Sequence, residues 1–559
     1  MSSKFSLWIL LFSALATAAS AADDSGAIDR LLDRIVQQED QFVQDMRSRT
    51  AIIETYIQET PNDADAAPVV RDHYFLAKLA FTKGLDYTPM VISAETRKSS
   101  RIPFLRRSAA VFVPSGFAQM VLIDGDGFSR KNYSMEYIHR EFLGQIRCLV
   151  FDVSPLDKKA PGKFRGRVWV EDHDYRVVRF NGTYTNSSTA HVYVHFDSWR
   201  VNVTGDQWVP AYVYVEESQP AEKGPTIPKF KGQTRLWGYN IAKTGKLDEL
   251  TSIAVEAEKS VTDSAAPPET SPLERQRLWE RQAEKNILER LEKSGLLAPP
   301  GPVDDVLNTV VGNLIVSNNL GVEAKCRVLL TTPLETFSVG QTIVVSRGLI
   351  DVLPDEASLA MVLSSELAHI ALGHRTDTHF AFFDQTMLTE GELLGRLRLA
   401  RPEAQVQAAG EKAIEILTKS PYGPKLANAG LFLKALAERA PQLPSLIRAN
   451  LGDQLASGST LTSMQELADK APALDQDKLE QIAALPLGSR IRLDPWNDEI
   501  SLLQGKSVAL LSARDKLPFE VTPFLIFLTR AGSPARDQNP AAGSGVPVQP
   551  NAGNSTKEQ

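Results

Sequence analysis

The sequence predicts an α+β, multidomain chain: an N-terminal antiparallel, half-open β-barrel-like domain, then a mainly helical one. Three observations lead there. At 559 residues the chain is longer than one hydrophobic core supports. Between about 106 and 241, β-branched and aromatic runs are separated by short turns such as Asp172-His173-Asp174 and Thr204-Gly205-Asp206. Composition then shifts near residue 255, and the apolar spacing beyond it becomes helical. A hydrophobic content of 43% and a charged content of 23% are ordinary for a globular chain. The formal net charge of −7 supplies no basic field, so nucleic acid is not an expected partner.

Taken in order, residues 1–21 read as a secretory signal peptide. Lys4 supplies the basic start, Leu7 to Leu15 the short apolar core and Ala19-Ser20-Ala21 the cleavage site. The run is too short to span a bilayer and no later one is long enough. The mature chain is expected to be exported, to the bacterial periplasm or beyond it, with no transmembrane segment. Residues 22–255 form the β-rich domain. It opens with a helical period over 26–60 (Ile28, Leu31, Leu32, Ile35, Phe42, Met46), and strand-like runs follow in Arg106–Asp124, Gln145–Val153, Arg167–Phe180, His191–Glu216 and Thr234–Ile241. Residues 256–300 are a linker and a charged helix, stopped at Ala298-Pro299-Pro300-Gly301-Pro302. Residues 301–475 hold a helix over Val303–Asn319, strands over Cys326–Thr331 and Thr342–Ser346, a helix starting at Pro354-Asp355-Glu356, and helices beyond 400. A small segment over 476–530 regains strands at Ile491–Leu503 and Phe519–Thr529. The tail over 531–559 is Gly, Pro, Ala and Asn and is expected to be disordered. Cys148 and Cys326 fall in separate predicted domains and read as buried free thiols.

The chemistry-bearing stretch is Ser365-Glu366-Leu367-Ala368-His369-Ile370-Ala371-Leu372-Gly373-His374. Ser365 and His369 lie one helical turn apart on the same side. In the motif HExxH both positions are zinc-binding histidines, and the Glu is the general base on the zinc-bound water. Upstream stand Glu335-Thr336-Phe337-Ser338-Val339-Gly340 and Val344-Val345-Ser346-Arg347-Gly348-Leu349-Ile350. In order and spacing, about residues 300–450 resemble the gluzincin metallopeptidases of the HtpX, CAAX prenyl protease and Oma type. The resemblance implies a zinc-peptidase fold. It also implies a groove at Thr336, Phe337, Ser338, Val339 and Gly340 that takes an extended peptide as an added strand.

The departures fall on the chemistry. Ser365 stands where the resemblance implies the first His ligand. The third ligand implied is a Glu in a downstream Glu-aromatic-x-Ala-Asp, matched best by Pro424-Lys425-Leu426-Ala427-Asn428, which puts Pro424 in the ligand's place. His369 is then the one remaining ligand, and catalytic zinc needs three. Without zinc no water is activated, and Glu366 sits idle at the general-base position. His374 and His379 follow His369 at five-residue steps, which scatter around a helix, so they read as helix-end and surface residues.

Residues 70–245 are similar to the periplasmic lipoprotein-sorting fold of the LolA and RseB type, on Arg147-Cys148-Leu149-Val150-Phe151-Asp152-Val153, Gly166-Arg167-Val168-Trp169-Val170 and Tyr175-Arg176-Val177-Val178-Arg179. That resemblance implies a half-open barrel that binds acyl chains. Read as residues alone, Val168, Val170, Phe196 and Trp199 are plain sheet core, and His191 and His195 are too far apart for a metal pair. The expectation is an exported, metallopeptidase-like, catalytically inactive protein without a cofactor, binding an envelope protein, an extended peptide or a lipid. The alternatives are an active zinc metalloendopeptidase with other ligands, with zinc as its cofactor, and a lipid or lipoprotein carrier.

Overall fold

The computed structural model describes residues 5–60, 71–90, 112, 114–185, 194–217, 229–239, 271–382, 390–475, 477–503 and 508–531, apart from Lys83, Asp126, Leu479, Glu480, Ile482 and Leu511. For residues 5–25 it describes the backbone alone. The side chains of the expected signal peptide, most of the expected linker, His191 and the tail from 532 lie outside these residues.

Ten strands build one sheet: β1 Thr50–Thr60, β2 Arg71–Ala80, β3 Asp86–Pro89, β4 Tyr133–Leu143, β5 Ile146–Pro155, β6 Phe164–Glu171, β7 Val177–Tyr184, β8 Phe196–Thr204, β9 Gln207–Glu217 and β10 Lys229–Trp237. Their order is β3-β2-β1-β10-β9-β8-β7-β6-β5-β4, and every neighbouring pair is antiparallel. The sheet stays open, with β3 and β4 as its edges. The N-terminal helix Phe5–Met46 buries Leu32, Ile35, Phe42 and Met46 in the core on one face of the sheet, which Ile53, Ile57 and Leu79 share. The opposite face presents Ile52, Tyr56, Tyr74, Leu76 and Trp237 to the second half of the molecule.

Covering both faces explains where the sequence pattern misled. The helical period expected to reach residue 60 ends at Met46, and Thr50–Thr60 is a strand. Buried on both sides, β1 carries Ala51-Ile52-Ile53 and Tyr56-Ile57 as continuous apolar runs, without the alternation that marks a half-exposed strand. Met120–Ile123, expected as a strand, follows a short helix over Pro114–Gln119 as buried turns. The Tyr184 hydroxyl satisfies them by donating to the carbonyls of Gln119 at 2.9 Å and Leu122 at 2.5 Å. Phe519–Thr529 forms no ladder beyond an isolated bridge at Val521. Gln58 serves this segment instead, donating to the Phe519 carbonyl at 2.7 Å and accepting from the Val521 N–H at 2.9 Å. Cys148 and Cys326 are both buried and free.

The second half is largely helical around a small sheet. Helices Pro272–Lys293 and Pro302–Asn318 lead into β11 Lys325–Leu329, β12 Glu335–Val339 and β13 Thr342–Ser346. With β14, Asp453–Gln454, these give the order β11-β13-β12-β14. The sequence reading had two of these strands; β12 is a third, and it lies inside the sheet. The helix Glu356–Ala371, called the motif helix below, packs against helices Glu403–Thr418 and Leu426–Arg439. Among the described residues no helix is long and apolar enough to cross a membrane.

A buried ion cluster joins the halves. Arg347 donates through Nη2 to Glu54 of β1 at 2.6 Å and to the Thr332 hydroxyl at 2.7 Å, and through Nη1 to Asp351 at 3.3 Å. Glu54 also accepts from the Thr332 N–H at 2.6 Å and from the Tyr74 hydroxyl at 3.0 Å. Arg347, Glu54 and Asp351 are at most 2% exposed. Removing one partner of such a cluster strands the others without water. Glu54→Ala is therefore expected to cost about 3–5 kcal/mol, read as a lowered urea midpoint. Lys470→Ala, on an exposed pair, is the control and should stay within about 0.5 kcal/mol.

Candidate functional site

The motif helix starts and stops by local rules. The Asp355 carboxylate accepts from the N–H and hydroxyl of Ser358 at 2.9 and 2.7 Å. At the other end Gly373 takes the left-handed conformation, φ 68°, and the His374 N–H donates to the His369 carbonyl at 3.0 Å. This turn folds His374 back over the helix end, so the Nδ1 atoms of His369 and His374 stand 2.9 Å apart. One of the two must carry the shared proton. Burial, with Arg401 and His374 adding to it, pushes the His369 pKa down to about 3, so its ring is neutral at every ordinary pH. His379, by contrast, packs its ring on Phe380.

Glu366 is 1% exposed. Its carboxylate accepts from the Ser338 hydroxyl at 2.8 Å and lies 3.7 Å from Nη1 of Arg401. Burial raises its pKa, and Arg401 opposes the rise. The Arg401 side chain is buried as well. Its Nη2 donates to the carbonyl and hydroxyl of Ser338 at 3.0 and 3.1 Å, and Nη1 is also 3.7 Å from Asp453. Ser365 is buried one turn before His369.

Arg401 is the residue that sequence reasoning missed, and Pro424 does not take part. Helix Glu403–Thr418 runs back along the motif helix, so its start meets Glu366 while its end leads to Tyr422. The Tyr422 hydroxyl donates to Glu356 at 2.8 Å, and Asn428 donates to Asp355 at 2.7 Å. Pro424 lies between those two contacts, at the opposite end of the motif helix. Ten residues of helix, roughly 15 Å, separate Glu356 from Glu366. A sequence signal existed: Arg401-Pro402-Glu403-Ala404-Gln405 has Ala in the same fourth place as the segment beginning at Pro424.

The expected peptide groove is filled by the chain itself. Thr336, Phe337, Ser338 and Val339 are all buried. On one side β12 pairs with β13, and on the other Glu335 and Thr336 pair with Gln454 and Asp453 of β14. One Glu335 oxygen accepts from three successive N–H groups, Asn450 at 2.9, Leu451 at 2.8 and Gly452 at 3.1 Å. Gly452 is required there, because a Cβ would come within 2.5 Å of the Thr336 carbonyl and the Phe337 ring. Further along, the Ser338 carbonyl accepts from Arg401 and, at 2.7 Å, from the Thr376 hydroxyl. At Gly340, φ 57°, Glu284 of helix Pro272–Lys293 closes in. An added strand needs free backbone groups on an edge, and here β14 covers Glu335 and Thr336 while Arg401 and Thr376 occupy the Ser338 carbonyl.

Residues 314–419 match the profile of peptidase family M48, and this region is metallopeptidase-like. The match takes in Arg401 and ends before Pro424. Among curated proteins no match to the chain is found. Members of such a family are typically zinc enzymes, yet the residues present here do not fit that ion. Position 365 offers a serine hydroxyl in place of an imidazole nitrogen, and a permanent cation stands beside Glu366. Among the described residues no group of three or more His, Cys, Asp or Glu side chains could hold a metal.

If Glu335 anchors the internal strand, Glu335→Ala leaves three N–H groups without an acceptor, those of Leu451 and Gly452 buried and that of Asn450 half-buried. The expected cost is about 1–3 kcal/mol, together with faster proteolytic cutting between residues 448 and 455, read by mass spectrometry of timed digests.

Proposed function

We propose that the chain is an exported, non-catalytic, metallopeptidase-like protein that works by binding. The observation that carries this reading is the state of Glu366. A general base must have its carboxylate free to face a polarised water. Here that carboxylate is buried, accepts from Ser338 and is paired with Arg401. Neither Ser365 nor Pro424 is a substitute donor. The proposal of export rests on Lys4, Leu7 to Leu15 and Ala19-Ser20-Ala21.

For the ligand we propose an amphiphile, a lipid or the acylated end of an envelope protein, and not an extended peptide along β12. A cavity of about 390 Å³ opens between the end of the N-terminal helix and the sheet. Val43, Met46, Phe81 and Leu85 supply apolar wall, and Arg47 and Asp124 bring charge to it. Its size falls in the range of small-molecule sites, and its wall, more polar than apolar, suits the polar head of an amphiphile, with Val43, Met46, Phe81 and Leu85 left for the start of its chain.

Two measurements test the two parts. The purified full-length chain should carry no stoichiometric zinc and should not hydrolyse casein, and Glu366→Gln should behave as the unaltered protein does. Stoichiometric zinc, with hydrolysis lost in Glu366→Gln, overturns the non-catalytic reading. Lipid extracted from the unaltered protein and quantified by mass spectrometry should fall several-fold in Met46→Trp, which fills the cavity. Equal lipid, or none in either protein, rejects the amphiphile.

A further inference from the structure

Resting on the non-catalytic reading but going beyond it, the structure assigns Arg401 the place of a missing metal's third protein ligand and part of that metal's charge. A metal gripped from positions 365 and 369 needs a third donor. That donor must come from a different element and reach the side of the motif helix that carries Glu366. Among the described residues two side chains from other elements do so, the small Ser338 hydroxyl of β12 and Arg401, and Arg401, from the residues just before helix Glu403–Thr418, is the charged one.

Its surroundings are those of an internal cation. Nη1 is 3.7 Å from Glu366 and 3.7 Å from Asp453, two carboxylates on different elements, and has no hydrogen-bond partner among the described residues. A guanidinium recognising a carboxylate as a fork makes two parallel short bonds. Here Nη1 instead stands between two acids as a charge, and Nη2 ties down Ser338. Asp453 is fixed in turn by the Arg401 backbone N–H at 2.8 Å and belongs to β14, the strand paired with β12. Residue 401 thus sets a positive charge beside Glu366 and, through its backbone N–H, pins the segment paired with β12. Unlike a metal, it cannot be lost to a chelator, and it does not deprotonate.

Two positions, 365 and 401, therefore separate this chain from a three-donor site. The test uses the full chain carrying Ser365→His with Arg401→Glu. A second double variant, Ser365→His with Arg401→His, avoids setting a new carboxylate beside Glu366. Folding is checked by circular dichroism and zinc by mass spectrometry after desalting. At least one double variant should retain about one zinc per chain, with a melting temperature that rises with zinc and falls with chelator. Ser365→His alone should retain none, because Arg401 still fills the place. Folded, metal-free double variants overturn the assignment, and so does stoichiometric zinc in Ser365→His alone. The charge is tested without metal: Arg401→Lys should keep a higher urea midpoint than Arg401→Met, and equal midpoints overturn the cation role. Zinc in the unaltered chain counts instead against the non-catalytic reading.

Discussion

A guanidinium buried beside Glu366 is the constraint on which the site depends. Two acids, Glu366 and Asp453, are drawn into the interior from different elements. Ionised carboxylates are tolerated there only against a fixed positive charge or with their protons retained. Burial pushes both pKa values up, and Arg401 opposes the shift in both. In a zinc enzyme a divalent ion would supply the opposing charge and also activate a water. Arg401 supplies charge alone. It offers no coordination position, so under the proposed non-catalytic reading it meets the electrostatic demand of the two acids as a charge only.

A second buried guanidinium does comparable work at the joint between the halves. Arg347 follows β13 directly, and its partner Glu54 lies on β1 of the ten-stranded sheet. Asp72 repeats the pattern, accepting from the N–H groups of Ser445 and Leu446 at 2.8 and 2.7 Å. The apolar layer formed by Ile52, Tyr56, Tyr74, Leu76 and Trp237 lies between these polar ties and merges with the core of the metallopeptidase-like half. Sheet and helices thus share one interior. A ligand entering the cavity under the N-terminal helix would act on the sheet face opposite this joint.

How much of this was legible in the sequence follows from the range of each interaction. The motif helix was readable because its signals are local: Asp355 caps it, Gly373 ends it, and Glu366 and His369 fall three residues apart. The hairpins around Asp172-His173-Asp174 and Thr204-Gly205-Asp206 were readable for the same reason. β1 was not, since burial on both faces removes the alternation that betrays a strand. Strand β12 was not recognised as interior, because its partner at Asp453–Gln454 is two residues long and lies far along the chain. By sequence, Pro424 stands in the ligand's place because Ala427 anchors its segment, yet the segment beginning at Arg401 carries Ala in the same fourth place. What separates them is the direction in which helix Glu403–Thr418 runs, and sequence spacing does not contain that direction.

The retained letters of the motif then have a physical account that needs no reaction. Glu366 accepts from Ser338 and faces Arg401, and His369 shares a proton with His374. Replacing Glu366 would leave buried Ser338 and Arg401 without their partner, at a cost of about 1–3 kcal/mol, whereas His374, the partner of His369, is only half-buried. Ser365 makes no comparable tie in the structure, and it is the position where the motif departs. Glu366, Ser338 and Arg401 on one side and His369 and His374 on the other thus satisfy one another without an ion between them.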